Sequence, residues 1–157
     1  MLTVSAPSIQ WRCCRFDELT VLELQYIYMA RQQVFCVEQR CPYLDADGRD
    51  ESCWHLAAWS GEQRMPVAYA RVLDPGVKYP EPAIGRVLTF GAGRGIGLGR
   101  VLVQRAVAKA VAEYPGRGIR LSAQSHLEGF YCSEGFRPVG EVYLEDGIPH
   151  IEMCRPG

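Results

Sequence analysis

Arg94-Gly95-Ile96-Gly97-Leu98-Gly99 follows an apolar run with strand character, residues 84–90, and opens an apolar-periodic segment, residues 98–114. A helix N-terminus presents four unpaired N–H groups and a partial positive charge. Glycines let such a backbone take positive φ and come close to a ligand. Together, Gly95, Ile96, Gly97, Leu98 and Gly99 form a cradle suited to a pyrophosphate, with Arg94 and Arg100 adding cationic contacts. The spacing excludes two other phosphate motifs. Counted from Gly91, Gly93 or Gly95, Gly-x-Gly-x-x-Gly would have to end on Ile96, Leu98 or Arg100, and no lysine stands where a P-loop needs one. The plain alternative is a flexible connector between strand and helix.

Working outward, Leu98, Leu102 and Ala106 fall on one row of the predicted helix and Val103, Val107, Ala110/Val111 and Tyr114 on the next, until Pro115-Gly116 stops it. Upstream, residues 55–59, 67–73 and 84–90 read as strands. Gly61-Glu62 makes a hairpin between the first two, and residues 75–82 form a proline-bounded loop. An earlier helix is expected over residues 17–37, from the period of Leu19, Leu22, Tyr26, Met29/Ala30 and Val37, with Asp17 as its cap. Pro42 then forces an irregular stretch to Ser52, and residues 11–15 can supply a first strand. Downstream come a buried strand at residues 119–123 and a short helix at 126–134 closed by Gly135 in the C′ position. A final hairpin joins residues 136–144 to 148–153 through Asp146-Gly147. This order specifies a single α/β (α+β) domain over residues 1–157, a mixed sheet with helices packed on it.

The composition is that of a globular domain: 157 residues, 48% hydrophobic and 22% charged. Seventeen basic against 18 acidic side chains give a net charge of −1, with no global attraction to nucleic acid or an anionic membrane. No apolar run approaches the roughly 20 residues that span a bilayer. Residues 1–9 show neither the basic nor the apolar region of a secretory signal, so a cytoplasmic location is expected. Seven cysteines, an odd number in such a chain, read as reduced thiols packed like small hydrophobes. Neither Cys36-x4-Cys41 nor Cys53-x-His55 has the spacing of a zinc site. Asp45, Asp47 and Asp50 resemble a calcium loop, but the twelfth position is Leu56, not Glu; no metal is expected. That acidic loop reads instead as a solvated turn, or as negative charge that draws a cationic amine.

Arg94-x-x-Gly97-x-Gly99 between strand and helix resembles the acyl-CoA-binding motif of the Gcn5-related N-acetyltransferase (GNAT) superfamily. Phe130-Tyr131-Cys132-Ser133-Glu134-Gly135-Phe136 resembles its Tyr-x3-Gly-Phe segment. Residues 31–41, Pro42-Tyr43 with Asp45, Asp47-Gly48 and Asp50, Leu121-Ser122-Ala123-Gln124, and Glu145-Asp146-Gly147-Ile148-Pro149-His150 are similar to its ElaA-like branch. The resemblance covers roughly residues 12 to 154.

It implies a sheet splayed open at the cofactor, and transfer of an acetyl group from acetyl-CoA to an amine, a small molecule or a peptide or protein amino group, by direct attack. Backbone N–H groups around Leu88 and Thr89 would polarise the thioester carbonyl. Gln124 stands where many members carry Asn, its amide one methylene further out, and Phe130 adjoins the cofactor. Tyr131 is the candidate general acid, a phenol protonated at neutral pH; the plain alternative is a packing aromatic. Glu38 is the first candidate base, with His150 and Glu152 next; the alternative for Glu38 is a solvated helix-end carboxylate. His55, His126, Arg71 and Arg86 read as structural. Dimers are common in the superfamily. A second class of function, a non-catalytic acyl-CoA sensor or interaction domain, keeps the cradle without turnover.

Overall fold

A computed structural model describes residues 8–157, so the reading of the first nine residues as lacking an export signal falls, up to residue 7, outside the described residues. Among those described, the strands are β1 (Ile9–Arg15), β2 (Cys53–Ser60), β3 (Ala68–Leu73), β4 (Ala83–Thr89), β5 (Ile119–Gln124), β6 (Arg137–Pro138), β7 (Tyr143–Glu145) and β8 (Ile148–Arg155). They form one sheet in the order β1-β2-β3-β4-β5-β8-β6, with β7 also on β8. Every pairing is antiparallel except β4 with β5. The helices are α1 (Val21–Arg31), α2 (Leu98–Glu113) and α3 (Glu128–Ser133). This is the expected mixed, mostly antiparallel sheet flanked by helices. No helix among the described residues is long and apolar enough to cross a membrane.

The period of two in the central strands sorts the core into two layers. Leu56 and Ala58 of β2 and Ala68, Ala70 and Val72 of β3 pack with Leu98, Leu102, Val103, Ala106 and Ala110 of α2. The intervening Ala57 and Tyr69 turn to the other face, against Ile27 and Ala30 of α1. Small alanines on both central strands let the helices lie close to the sheet. At the far end Asp146 (φ 49°) and Gly147 (φ 77°) form the turn between β7 and β8, where Glu145 pairs Ile148.

Several sequence expectations need correction. The helix read over residues 17–37 is three pieces: a 3₁₀ turn at Phe16–Glu18, then α1, then a π-helical stretch at Gln32–Glu38. Its cap is Thr20, not Asp17. Thr20 Oγ1 accepts from Glu23 N–H at 3.1 Å while the Glu23 carboxylate accepts from Thr20 N–H at 2.8 Å, a capping box that outcompetes a lone aspartate. The helix read at 126–134 begins as a 3₁₀ turn, Ser125–Leu127. The strand read over residues 136–144 is two short pieces, β6 and β7, because Gly140 (φ 90°) breaks the extended run. The cysteines are free thiols, but Cys13 and Cys132 are exposed rather than packed.

The acidic loop is the largest correction: it is not a solvated turn. Asp45 and Asp50 are buried and Asp47 mostly so, each bound to arginine. Arg31, 0% exposed, reaches Asp45 Oδ2 at 2.9 Å and Asp50 Oδ1 at 2.7 Å. Arg71 grips Asp47 through both Nη groups (2.8 and 2.6 Å) and Asp50 at 3.0 Å, and Arg86 Nε donates to Asp45 at 2.8 Å. The Asp50 carbonyl accepts from His55 Nε2 at 2.8 Å, which leaves Nδ1 to accept from the Tyr69 hydroxyl at 2.7 Å. The structural reading of His55, Arg71 and Arg86 therefore holds, and the loop's negative charge is matched by arginine.

This arrangement sets an acid sensitivity. Burial pushes His55 below its ordinary value, against the pull of Asp50. Burial pushes Asp50 and Asp47 up, but the guanidiniums of Arg31 and Arg71 outweigh it and hold both carboxyls down. A depressed histidine binds its proton more readily unfolded, so its contribution is complete above about pH 6.5 and is lost as the pH falls below that. The carboxylates contribute above about pH 4 and lose that contribution below it. Urea midpoints are therefore expected to fall in two stages between pH 7 and pH 3, with the upper stage flattened in His55→Gln. Midpoints constant from pH 7 to pH 5 would contradict the first stage.

Candidate active site

β4 and β5 touch at one register pair, Ala83 with Arg120, reinforced by Arg120 N–H donating to the Pro82 carbonyl at 3.0 Å. Beyond it the strands diverge, as the splayed sheet requires, and a cavity of about 520 Å³ opens between them. A bulge in β4 assists: Tyr69 pairs Leu88 but Arg71 pairs Gly85, and the extra residue is accommodated at Arg86 (φ 53°). The bulge also aims the Arg86 guanidinium at Asp45. After it, Phe90 N–H donates to the Val67 carbonyl at 2.9 Å. Backbone groups alternate along a strand, so those of Thr89 face the opposite edge, where the Thr89 carbonyl accepts from Arg94 Nε at 3.0 Å. Of the two expected donors, the Thr89 N–H faces the cleft and the Leu88 N–H faces β3; Leu88 contributes an apolar wall.

The glycine turn divides into an enclosed half and an open half. In the first, a Cβ at Gly91 would lie 2.1 Å from Gln63 Oε1 and one at Gly93 2.2 Å from the Val67 carbonyl oxygen. Gln63 clamps this half, accepting from Ala92 N–H and donating to the Met65 carbonyl, both at 3.0 Å. In the second half Gly95 (φ 77°) and Gly97 (φ 74°) face open space, with no atom within 4 Å of an added Cβ. Gly97 is the N-cap of α2 and supplies no capping side chain, so the first-turn N–H groups stay available. Both arginines of the motif are engaged. Arg94 pairs with Glu38 at 2.6 Å, and Arg100 binds Ser133 Oγ at 2.9 Å and the Glu134 carboxylate, above the Phe130 ring.

Tyr131 lies on α3 against the same cavity, 6% exposed, edge-on to Phe130 (5.1 Å, 74°) and Phe136 (6.0 Å, 81°). Burial pushes its hydroxyl up to about 12. The local sequence explains the pose. Gly135 (φ 93°) ends α3, its N–H donating to the Cys132 carbonyl at 3.1 Å. Phe136 then folds back, its N–H on the Tyr131 carbonyl at 3.1 Å and its ring in the core.

Of the candidates read from sequence, Leu88, Thr89, Arg94, Gln124, Tyr131 and His150 line the cavity. Gly95, Ile96, Gly97, Leu98, Gly99, Arg100 and Phe130 lie outside that lining, at the start of α2 and on α3. Glu38 also lies outside the lining and is held by Arg94; Glu152 is engaged by Arg120 at 3.1 Å. His150 anchors Nδ1 on the Ile148 carbonyl at 2.7 Å, with Nε2 3.4 Å from Glu145. His126 is at the cavity rather than in a purely structural position. Sequence reasoning missed Arg49 and Lys78, which also line it. It missed Arg31 too, although an arginine four residues after Ile27 and three before Val34, on the buried row of α1, signals a buried partner.

These features have a counterpart in known proteins. A family model described as an acetyltransferase (GNAT) domain matches residues 54–155. The chain belongs to the GNAT acetyltransferase family. Within it, the chain is 46% identical over 145 residues to a UPF0039 protein of Synechocystis sp., across 92% of this chain and 94% of the relative. It is 41% identical over 149 residues to protein ElaA of Escherichia coli, across 94% and 96%. The crystal structure of that ElaA superposes with a TM-score of 0.87 at 40% identity, covering 94% of this chain and 99% of the other. An acyl-CoA N-acyltransferase from Pseudomonas aeruginosa superposes at 0.88 and 44% identity, with the same coverage. Membership in the GNAT family supports acyl transfer from an acyl-CoA donor, and the ElaA and UPF0039 relatives are the branch expected from the sequence.

Proposed function

We propose that this chain transfers an acetyl group from acetyl-CoA to an amine by direct attack in a ternary complex. The observation that carries the reading is convergence on one cavity: the Thr89 N–H on a diverging strand, the buried Tyr131 hydroxyl and, just beyond Arg94, the uncapped N-terminus of α2. The open N–H groups near Gly95, Ile96, Gly97, Leu98 and Gly99 receive the pyrophosphate of the donor, with Arg94 and Arg100 beside them. Gln124, at the end of β5, offers its amide to the pantetheine arm, and the Phe130 ring packs against it. The Thr89 N–H polarises the thioester carbonyl.

The neutral amine attacks the carbonyl carbon. A C–N bond forms, the C–S bond breaks, the amine loses one proton to a base, and the departing thiolate takes one from Tyr131. His150 is the base this geometry favours over Glu38. It lines the cavity, and with Nδ1–H bonded to Ile148 the nitrogen that takes the proton is Nε2, 3.4 Å from the Glu145 carboxylate that stabilises the imidazolium formed. Glu38 acts instead as a positioning residue for Arg94.

Calorimetric titration tests the reading. Acetyl-CoA is expected to bind in the micromolar range, about −8 kcal/mol, with NADH giving no heat and Gly97→Arg abolishing binding by filling the open face of the cradle. Absence of acetyl-CoA binding to the unmodified chain would sink the assignment. Binding without thiol release across a broad amine panel would favour the acyl-CoA sensor.

A further inference from the structure

The cations that line the cavity fall into two groups. Arg71, Arg86 and Arg94 are each matched by a carboxylate: Asp47 with Asp50, Asp45, and Glu38. Arg49 is matched only loosely and Lys78, among the described residues, by no carboxylate within 4 Å. Arg49 comes no nearer than 3.7 Å to Asp47, whose two oxygens Arg71 already holds, and its side chain is 44% exposed. Among the described residues Lys78 makes no ion pair within 4 Å; its ammonium lies 5.3 Å from the centre of the Tyr79 ring. Although Lys78 is solvent-exposed, desolvation and then the nearby Arg49, Arg86 and Arg71 press its ammonium below the ordinary value, against the pull of Glu145. Its loop is held in shape: Gly76 N–H donates to the Tyr79 carbonyl at 2.7 Å and Arg117 to the Pro80 carbonyl at 3.0 Å. Two cations that press on each other at the edge of a cavity, one loosely paired and one with no carboxylate within 4 Å, offer an incoming anion two charge-assisted bonds.

The β7–β8 side of the cavity carries the opposite sign. Glu145 and Asp146 line it, and Glu145 stands 3.4 Å from His150 Nε2. Glu145 also pulls on Lys78, so the acceptor region carries both signs side by side, cationic at Arg49 and Lys78 and anionic at Glu145 and Asp146. A simple alkylamine or a polyamine answers only the second pole. We propose that the acceptor is a small amino carboxylate, its amine received beside Glu145 and His150 and its carboxylate by Arg49 and Lys78. The inference rests on the reading of the cavity as an acyl-CoA N-acyltransferase site, and names the class of substrate it takes.

The test compares amino acids with their own carboxamides as acceptors, with acetyl-CoA as donor and thiol release as readout. The free acids are expected to show kcat/KM about ten-fold or more above the carboxamides, the scale of a hydrogen bond to a charged group. Lys78→Gln and Arg49→Gln should each erase most of that preference by raising KM for the acids. Turnover of the carboxamides and the calorimetric affinity for acetyl-CoA should stay unchanged, and Lys78→Arg should restore the preference. Both side chains are solvent-exposed, so the variants retain the fold, and unchanged acetyl-CoA affinity verifies it. Equal turnover of acids and carboxamides by the unmodified chain would overturn the inference while leaving acyl transfer intact. So would acetylation of polyamines or protein lysines with no turnover of amino acids. Failure to bind acetyl-CoA at all would instead remove the functional reading beneath it.

Discussion

Tyr131→Phe is expected to lower kcat by about 10²-fold or more, the range a positioned proton donor contributes, with nearly unchanged affinity for acetyl-CoA. The ring is buried edge-on between Phe130 and Phe136, and phenylalanine retains those contacts. What the substitution removes is the hydroxyl, held protonated by burial up to about pH 12. The departing thiolate then has no adjacent donor and must be protonated by water. A tyrosine with an ordinary value near 10 would be half ionised at about pH 10; Tyr131 is not, so it produces no alkaline loss of rate below that pH. Thiol release measured beside a calorimetric titration separates the two parameters. Full kcat in the variant would reduce Tyr131 to packing.

Arg31→Leu carries the largest expected loss of stability, about 3–5 kcal/mol. The guanidinium is wholly buried and its removal leaves Asp45 and Asp50 in the interior with one arginine fewer each. Burial already pushes the Asp50 carboxyl up, and the guanidiniums of Arg31 and Arg71 hold it down. The urea midpoint reports the loss. Arg15→Leu serves as the comparison, because the Arg15–Asp74 pair is about one-third exposed and bears less desolvation. Equal losses for the two variants would deny the buried network its special weight.

The parts of the fold legible in the sequence are those whose signals are local. The rows of α2, the Asp146-Gly147 turn and Gly135 at the end of α3 each depend on residues within a few positions. The glycine turn was legible because strand, turn and helix follow one another directly, whereas Tyr131 was singled out only by the resemblance of its segment to the family's Tyr-x3-Gly-Phe. Pairing across the chain was not legible. Nothing near residues 45–50 announces that their carboxylates meet Arg31 from α1, Arg71 from β3 and Arg86 from β4. Runs of Asp and Gly have the same composition whether solvated or enclosed. Glu38 and Arg94 stand 56 residues apart, so their ion pair had no sequence signature either. The π-helical stretch escaped for another reason. Its six-residue hydrogen-bonded loops, such as Gln39 N–H to the Val34 carbonyl at 3.3 Å, shift the apolar rows by only a fraction of a turn.

The two halves of the glycine turn will drift differently under mutation. At position 93 every other residue carries a Cβ into the Val67 backbone, so that site resists replacement whatever the protein is selected to do, whereas at 91 it meets the tip of the Gln63 side chain, which can turn away at the loss of its clamp. At 95 and 97 only handedness opposes a side chain, at about 1–2 kcal/mol, and asparagine tolerates that backbone better than most. Any stricter invariance at 95 and 97 would then be the imprint of what binds in front of them. A saturation library scored once for folded protein and once for turnover would separate the two pressures, with 93 empty of substitutions in both and 95 and 97 populated in the first alone.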